Sequence, residues 1–223
     1  MTRRLAAVLF DLDGTLVDSA PDLVATVAWL RRQHGLPPIE LAALGQLASR
    51  GALGLIEAGF ADRPDLDRTL LRQQFLAHYG DNLWIHSQAY AGVEELLDAL
   101  DERGLPLAVV TNKPTPLARA LIEAAGWRER FGCLVGGGCT PQAKPHPAPV
   151  LEACRRLGVL PSDTCMIGDD RRDIEAGRRA GSLTLAAAWG YLAGDDPADW
   201  QAHEILATPE QLKMFFMRNN DLH

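Results

Sequence analysis

The chain begins with an apolar run that ends in two acidic residues. Residues 5–10 have the length and the β-branched or aromatic content of a buried strand. Asp11 and Asp13 follow two residues apart, so a continuing strand would point both carboxylates to one side. Gly14 then lets the backbone turn and approach a ligand closely. Carboxylates crowded at a strand end repel one another unless a cation lies among them, so the pattern is typical of metal-dependent chemistry.

Residues 18–82 carry a different pattern. Apolar residues recur at helical spacing over residues 23–30, and Ser19 is placed to cap this helix with Pro21 in its first turn. Further helices are expected near residues 39–48, 51–60 and 65–80. Because no segment of this stretch is typical of a strand, we predict an all-helical domain inserted after the first acidic turn.

The rest of the chain alternates between strand-like and helical segments. Short apolar strands are expected at residues 106–110, 131–135, 164–167 and 183–187. Helices are expected at residues 93–100, 115–125, 147–158 and 171–180, with a final helix after a capping box of Thr208 and Gln211. This alternation predicts a parallel sheet with helices on both faces. We therefore divide the chain into a core of residues 1–17 and 83–223 and a helical domain of residues 18–82.

Composition and charge narrow the choice of function. The 223 residues are 47% hydrophobic, which suffices for an ordinary globular interior, and the formal net charge is −7. No basic stripe marks a nucleic-acid surface, because the arginines within residues 171–179 are interleaved with acids and are expected to form a solvated helix face. A negative net charge still permits a phosphorylated substrate, since local groups set the field of a cleft.

The sequence gives no sign of export or of membrane insertion. The apolar run after the basic residues 1–4 is only six residues long and ends in acids, so it is neither a signal peptide nor a membrane span. The four cysteines form no C-x-x-C pair, and reduced thiols are expected. We therefore expect a cytoplasmic protein that binds neither nucleic acid nor a membrane.

Three of the predicted strands end in reactive side chains. The three groups are Asp11 and Asp13, then Thr111, Asn112 and Lys113, and then Asp169 and Asp173, with Lys144 in a proline-rich turn between the second group and the third. Ligands bind beyond the carboxyl ends of parallel strands, so we expect these side chains to meet at one edge of the sheet. Thr111 and Asn112 could instead cap the helix after Pro114, and Lys144 by itself would be an ordinary solvated loop lysine.

In this order, the motifs resemble those of the haloacid dehalogenase superfamily of phosphatases. They are Asp11-x-Asp13-Gly14-Thr15, Thr111-Asn112, Lys144 and Gly168-Asp169-Asp170-x-x-Asp173, and the resemblance spans residues 6 to about 190. It implies an α/β fold with a Rossmann-like parallel sheet as its core. It also implies that the helices of residues 18–82 form an inserted cap domain.

The resemblance further implies a reaction. Asp11 would attack the substrate phosphorus to form an aspartyl-phosphate, and Asp13 would protonate the leaving oxygen and then deprotonate the hydrolytic water. The Thr111 hydroxyl would bind phosphoryl oxygens together with Asn112, and Lys144 would balance the charge of the nucleophile and the phosphate. Such residues suit phosphoryl transfer, which depends on positioning and on cations opposite the phosphate oxygens.

Magnesium is the cofactor that the resemblance implies. The Asp11 and Asp169 carboxylates and the Asp13 backbone carbonyl would hold Mg²⁺, with water and a phosphate oxygen completing the shell. Asp173 would orient this shell without touching the ion, or it would be a surface acid of its helix. The dehalogenase branch needs neither the second acid nor magnesium, so Asp13 and Asp169 favour phosphate chemistry over cleavage of a carbon–halogen bond.

Substrate choice is expected to reside in the cap. Arg50 lies between two predicted cap helices and could bind a second anionic group such as a carboxylate, although a solvated loop arginine explains it equally well. The overall pattern is similar to phosphoglycolate phosphatases. The tail is similar to bacterial N-acetylmuramic acid 6-phosphate phosphatases of cell-wall sugar recycling, in Trp189-Gly190-Tyr191, Asp195-Asp196-Pro197 and Trp200. We therefore expect N-acetylmuramic acid 6-phosphate as the substrate, with phosphoglycolate as the alternative.

Two further functions stay open at this point. The aspartyl-phosphate could return its phosphoryl group to a sugar, as in a phosphomutase, but no sequence feature shows the exclusion of water that a mutase needs. A non-catalytic module that binds a phosphorylated metabolite is the other alternative, and it would not need both Asp11 and Asp13. In each case the partner is a small phosphorylated metabolite, and the chain is expected to be a monomer or a homodimer.

Overall fold

The computed structural model describes residues 5–40 and 42–218. The outer ends of the predicted core, residues 1–4 and 219–223, lie outside this description, as does residue 41 of the predicted helical domain. Among the described residues, none of the helices is both long enough and apolar enough to cross a membrane.

A parallel sheet forms the core of the fold. The strands of the described residues are β1 (Ala7–Phe10), β2 (Val17–Asp18), β3 (Gln88–Ala89), β4 (Leu107–Pro114), β5 (Cys133–Gly137), β6 (Thr164–Gly168), β7 (Leu183–Ala187) and β8 (Glu204–Leu206). Six of them pair in parallel in the order β5-β4-β1-β6-β7-β8. The predicted α/β fold with a parallel sheet is confirmed, and β1 lies near its centre. Strand β8 was not predicted, and β4 continues four residues beyond its predicted end at Val110.

Helices pack on both faces of this sheet and also form a separate group of their own. They are α1 (Ala20–Gln33), α2 (Ala42–Gly45), α3 (Gly51–Gly59), α4 (Arg68–Asp81), α5 (Val93–Glu102), α6 (Thr115–Ala124), α7 (Ala148–Leu157), α8 (Arg171–Ala180) and α9 (Pro209–Arg218). Val8 and Phe10 of β1 pack in an apolar cluster with α5, α6 and α9, whereas Leu9 packs with α7 and α8. Alternate residues of one strand therefore serve two separate layers, as expected of a parallel sheet buried on both sides.

Helices α1 to α4, called the helical block below, share a separate apolar cluster. Val27 of α1 packs there with Leu55 of α3 and Phe75 of α4. The block is joined to the core by an antiparallel ribbon of β2 and β3, in which Val17 pairs with Ala89. The ribbon was not expected, because two-residue strands leave almost no pattern in a sequence. The helical content agrees with expectation, and the exact domain boundaries stay a prediction.

The start of α1 differs from the sequence prediction. The Ser19 hydroxyl does not cap the helix but donates to a carboxylate oxygen of Asp13 at 2.5 Å. In the first turn, the buried Asp22 carboxylate accepts hydrogen bonds of 2.8–2.9 Å from the backbone N–H groups of residues 85–87. It also accepts one of 2.6 Å from the Ser87 hydroxyl. These bonds tie the segment that leaves the helical block to the helix that begins it.

Candidate active site

The predicted nucleophile and the predicted lysine form an ion pair. Asp11 follows β1 directly, and its Oδ1 atom lies 2.9 Å from Nζ of Lys144. The same ammonium lies 2.6 Å from Oδ1 of Asp173 and donates to the Val110 carbonyl at 2.6 Å. Lys144 is only 4% exposed, so it is not a solvated loop lysine. Burial alone would lower its pKa, but the two carboxylates raise that pKa above its ordinary value and keep the ammonium charged.

Three carboxylates share this part of the site. Oxygen atoms of Asp11, Asp169 and Asp173 all lie within 4.8 Å of one another. Burial, followed by the charges of the other two groups, raises the pKa of Asp169 well above its ordinary value. Burial and Asp11 raise the pKa of Asp173 to about 7, against the opposing effect of Lys144. One ammonium group does not offset three ionised carboxylates, so the acidic cluster and Lys144 together carry a net negative charge.

The acidic cluster fits a hard divalent cation. The Oδ1 atoms of Asp11 and Asp173 are buried, and among the described residues Lys144 is the partner that lies close to both. The ammonium is 2.9 Å from the first atom and 2.6 Å from the second. Carboxylate oxygens are the ligands that such a cation prefers, and a bound ion would relieve their repulsion. The side chains gathered here can therefore hold a metal ion.

Asp169 is fixed by contacts on both of its oxygens. The Thr15 hydroxyl donates to Oδ1 at 2.7 Å, and the Tyr191 backbone N–H donates to Oδ2 at 2.8 Å. Gly14, with φ of +84°, lies so close that a Cβ atom there would overlap the Asp169 carboxylate. The Tyr191 hydroxyl also donates to Asp18 at 2.6 Å. Tyr191 therefore joins the acidic cluster to the ribbon that leads into the helical block.

Asp13 pairs with Lys113, a lysine of a reactive strand end to which the sequence prediction gave no role. Nζ of Lys113 lies 2.9 and 3.2 Å from the two carboxylate oxygens of Asp13, and it donates to the Tyr79 hydroxyl at 2.9 Å. The ammonium also lies 4.4 Å from the centre of the Tyr79 ring. Lys113 follows Thr111 and Asn112 at a reactive strand end, which is the signal that could have found it. No signal in the sequence points to Tyr79.

Thr111 and Asn112 lie at the same edge of the sheet, but they do not cap α6. Pro114 precedes that helix, and no side chain of the described residues caps it. The Asn112 amide instead accepts the Lys144 backbone N–H at 2.9 Å and donates to the Lys144 carbonyl at 3.0 Å. The Thr111 hydroxyl oxygen accepts the Lys113 N–H at 3.2 Å. The capping alternative is therefore wrong, and Asn112 positions Lys144, while its direct contact with substrate stays a prediction.

Arg172 departs from the predicted solvated helix face. Its guanidinium pairs with Asp170 at 2.7 Å and donates to the Ser49 carbonyl of the helical block at 2.5 Å. Asp170 and Asp173 form a capping box at the start of α8, in which the Asp173 carboxylate accepts the Asp170 N–H at 3.1 Å. Asp173 is 1% exposed, so it is not a surface acid. The first turn of α8 thus contributes to the site and contacts the helical block.

A cavity of about 570 Å³ lies between the sheet edge and the helical block. Among the predicted site residues, its walls include Asp11, Asp13, Arg50, Thr111, Asn112, Lys144 and Asp173. Asp169 adjoins these residues through the acidic cluster. Arg50 and Arg72 are exposed cations in the wall formed by the helical block, and neither pairs with another residue in the described part of the chain. Arg68 in the same wall donates to three backbone carbonyls, so it supports the fold of the block.

Comparisons with known proteins agree with this geometry. A family model described as haloacid dehalogenase-like hydrolase matches residues 5–181. The phosphoglycolate phosphatase of Xanthomonas campestris pv. campestris is 44% identical over 207 residues, which cover 92% of this chain and 94% of that protein. The N-acetylmuramic acid 6-phosphate phosphatase of Pseudomonas aeruginosa is 43% identical over 213 residues, which cover 94% and 93%.

Solved structures share the fold across almost the whole chain. The crystal structure of a predicted phosphoglycolate phosphatase from Haemophilus somnus has a TM-score of 0.85 to this structure at 29% sequence identity. The similarity covers 95% of this chain and 98% of that one. The sheet and the helical block therefore occur together in this related structure.

Proposed function

This chain belongs to the haloacid dehalogenase-like hydrolases and is a phosphatase, and from this premise we propose that it hydrolyses a phosphate monoester through an aspartyl-phosphate on Asp11. The observation that carries the proposal is the position of the Asp11 carboxylate. It lines the cavity, pairs with the Lys144 ammonium and belongs to the acidic cluster. A carboxylate can approach an anionic phosphate only where cations offset the charge of both groups.

We assign the remaining roles to residues that line the same cavity. An Asp11 oxygen forms a bond to phosphorus while the bond to the leaving oxygen breaks, and Asp13 gives that oxygen its proton. Water then attacks the aspartyl-phosphate and loses a proton to Asp13, which frees Asp11 and inorganic phosphate. The Thr111 hydroxyl and the Lys144 ammonium contact the phosphoryl oxygens. Asn112 holds Lys144 in place for this purpose.

The proposed cofactor is Mg²⁺. The Asp11 and Asp169 carboxylates and the Asp13 backbone carbonyl would hold it, and Asp173 would orient this set through its contact with Lys144. When bound, Mg²⁺ draws charge from the phosphate oxygens. Two observations support the assignment: in the described part of the chain the buried Oδ1 atoms of Asp11 and Asp173 share the Lys144 ammonium as their partner, and a third carboxylate, that of Asp169, lies beside them.

The proposed substrate is N-acetylmuramic acid 6-phosphate, as the tail of the sequence led us to expect. It combines a sugar ring with a carboxylate, and the cavity of about 570 Å³ is in the usual range of small-molecule sites, about 300–1,000 Å³. Arg50 and Arg72 offer unpaired cations for the carboxylate. The Pseudomonas aeruginosa relative bears the name of this activity. Phosphoglycolate is the second candidate, because the Xanthomonas relative is named for it, although a two-carbon phosphate would leave most of the cavity unfilled.

We further propose that residues 18–82 act as the cap that selects the substrate. The helical block supplies the wall with Arg50, and it contacts the core through Arg172 and Lys113. The phosphatase relatives favour hydrolysis over the mutase and the binding module. A cytoplasmic location and a monomeric or homodimeric state stay predictions from the sequence.

The test is phosphate release in the presence of Mg²⁺, measured as kcat/KM for N-acetylmuramic acid 6-phosphate and for 2-phosphoglycolate. We expect the amino-sugar phosphate to be preferred, and we expect Asp11→Asn to lose at least about 10³-fold in kcat. Asp199→Asn, an exposed change elsewhere in the chain, is the matched control. A preference for phosphoglycolate overturns the substrate assignment, and normal turnover by Asp11→Asn overturns the nucleophile.

A further inference from the structure

We propose that Lys113 is a positioning residue for the Asp13 carboxylate, and that Tyr79 of the helical block fixes Lys113 in that position. The inference rests on the acid–base role proposed for Asp13. It concerns a second lysine at the site, whose contacts differ from those of Lys144. Lys144 contacts the nucleophile and the acidic cluster, whereas Lys113 contacts Asp13 and a tyrosine of α4.

The three N–H donors of the Lys113 ammonium are matched by three acceptors. These are the two carboxylate oxygens of Asp13, at 2.9 and 3.2 Å, and the Tyr79 hydroxyl oxygen, at 2.9 Å. The lysine is 9% exposed, and its ammonium forms an ion pair of 2.9 Å with the Asp13 carboxylate. A charged ammonium with all its donors engaged holds its neighbours in place and has no donor left for a phosphate oxygen.

Asp13 needs such support because it lies in the turn after β1 rather than within a strand. Its Oδ1 atom accepts from the Ser19 hydroxyl and from Lys113, and its Oδ2 atom accepts from Lys113, so three contacts restrict the rotation of the carboxylate. Proton transfer requires a carboxylate oxygen within hydrogen-bond reach of the leaving oxygen and later of the water. A displacement of about 1 Å can slow such a reaction by about 10²-fold.

Tyr79 connects this arrangement to the helical block. It lies in the last turns of α4, is 1% exposed, and stacks on Phe75 at a centroid distance of 6.2 Å. Burial is the main reason that the pKa of its hydroxyl is raised, so the group stays neutral and accepts from Lys113. The position of α4 is thereby transmitted through Tyr79 and Lys113 to Asp13.

The experiment compares two substrates with leaving groups of different quality. 4-Nitrophenyl phosphate releases a stable anion, so formation of the aspartyl-phosphate needs no proton from Asp13, whereas a simple alkyl phosphate needs that proton. The value of kcat/KM reports this first step alone. For Lys113→Met we expect kcat/KM to fall by about 10²-fold with the alkyl phosphate and by less than about threefold with 4-nitrophenyl phosphate.

The second step gives an independent signal. Hydrolysis of the aspartyl-phosphate still needs Asp13 as a base, so Lys113→Met should show a burst of about one 4-nitrophenolate per active site followed by slow turnover. Tyr79→Phe should show the same burst with a smaller decrease in the turnover rate. This variant also tests the inference if Lys113→Met fails to fold. Lys213→Met, on α9, is the matched control and should behave as the wild type.

Two results would overturn the inference. Equal losses of kcat/KM for both substrates would show that Lys113 binds the phosphoryl group, as expected for Lys144→Met. Unchanged kinetics in Lys113→Met and in Tyr79→Phe would show that neither residue positions Asp13. If the wild type shows no Mg²⁺-dependent turnover of either substrate, the proposed function itself is wrong. This outcome differs from the two results above, which concern the variants.

Discussion

The side-chain amide of Asn112 bonds to both polar groups of the Lys144 backbone, accepting its N–H at 2.9 Å and donating to its carbonyl at 3.0 Å. Asn112 belongs to β4, whereas Lys144 lies in the loop before α7, so one side chain locks a distant loop onto the sheet edge. The ammonium at the end of that loop then reaches the nucleophile Asp11. The position of the lysine thus depends on an amide that never needs to touch the phosphate.

Replacing Asn112 should therefore weaken catalysis through Lys144. We expect Asn112→Ala to lower kcat by about 10- to 100-fold, because the loop loses two hydrogen bonds and the ammonium loses its fixed position. Asn112→Asp keeps the acceptor for the Lys144 N–H but turns a carboxylate oxygen toward the Lys144 carbonyl, so its loss should be at least as large as that of Asn112→Ala. Steady-state kinetics would measure both, with thermal unfolding to verify the fold; wild-type kcat in Asn112→Ala would refute this role.

The loop arginine provides a prediction on specificity. Arg50→Ala should reduce kcat/KM for N-acetylmuramic acid 6-phosphate by about 10- to 100-fold, because a charged hydrogen bond to the carboxylate contributes about 1.5–3 kcal/mol. Turnover of 4-nitrophenyl phosphate, which has no carboxylate, should change little. If both substrates lost activity to the same extent, Arg50 would have no part in selecting the substrate.

Stability should depend on the carboxylate that joins the two ends of the helical block. Asp22→Asn presents an amide N–H₂ group to backbone N–H donors, and we expect it to lower the free energy of unfolding by about 2–4 kcal/mol. Asp81→Asn, at the exposed end of α4, is the control and should change stability by less than about 0.5 kcal/mol. Urea unfolding would measure both, and similar values for the two variants would contradict this account.

Magnesium should stabilise the protein whether or not substrate is present. Removing the ion leaves the acidic cluster with one ammonium for three carboxylates, so adding Mg²⁺ at about 100 times its Kd should add about 2.7 kcal/mol. For a chain of this size that is a rise in Tm of about 5–10 °C. Differential scanning fluorimetry would detect it. Asp169→Asn should lose most of the rise, and an undiminished rise in that variant would place the ion elsewhere.

Part of the site could be predicted because several of its residues stand where an apolar segment ends. Asp11, Thr111 and Asp169 stand at the ends of three apolar segments, and a parallel sheet brings such ends to one edge. Lys144 does not stand at a strand end, and only its place in the order of the motifs identified it as a candidate site residue. The sheet was predictable for the same reason, since its strands are buried on both faces and read as continuous apolar runs.

What could not be predicted depends on packing between distant segments. Tyr79 has the pattern of an ordinary core residue of α4, and only the placement of the helical block brings its hydroxyl to Lys113. Arg172 was expected in solvent, but the same placement of the helical block lets its guanidinium donate a hydrogen bond to the Ser49 carbonyl. Serine is a common helix-capping residue, but the Ser19 hydroxyl donates a hydrogen bond to Asp13 instead. A sequence pattern records which side chains are buried more clearly than it records their partners.

The ribbon of β2 and β3 places the two chain segments that connect the helical block to the core side by side, with Val17 paired with Ala89. The inserted residues therefore leave and re-enter the core at one place, as the loop of a hairpin does, whatever the length of the insertion. A foreign helical module could be grafted at this junction without stretching the strands that carry the phosphate chemistry. An exchange of substrate range by this route would keep the hydrolytic machinery intact only if the new module replaced the contacts of Tyr79 with Lys113 and of Ser19 with Asp13.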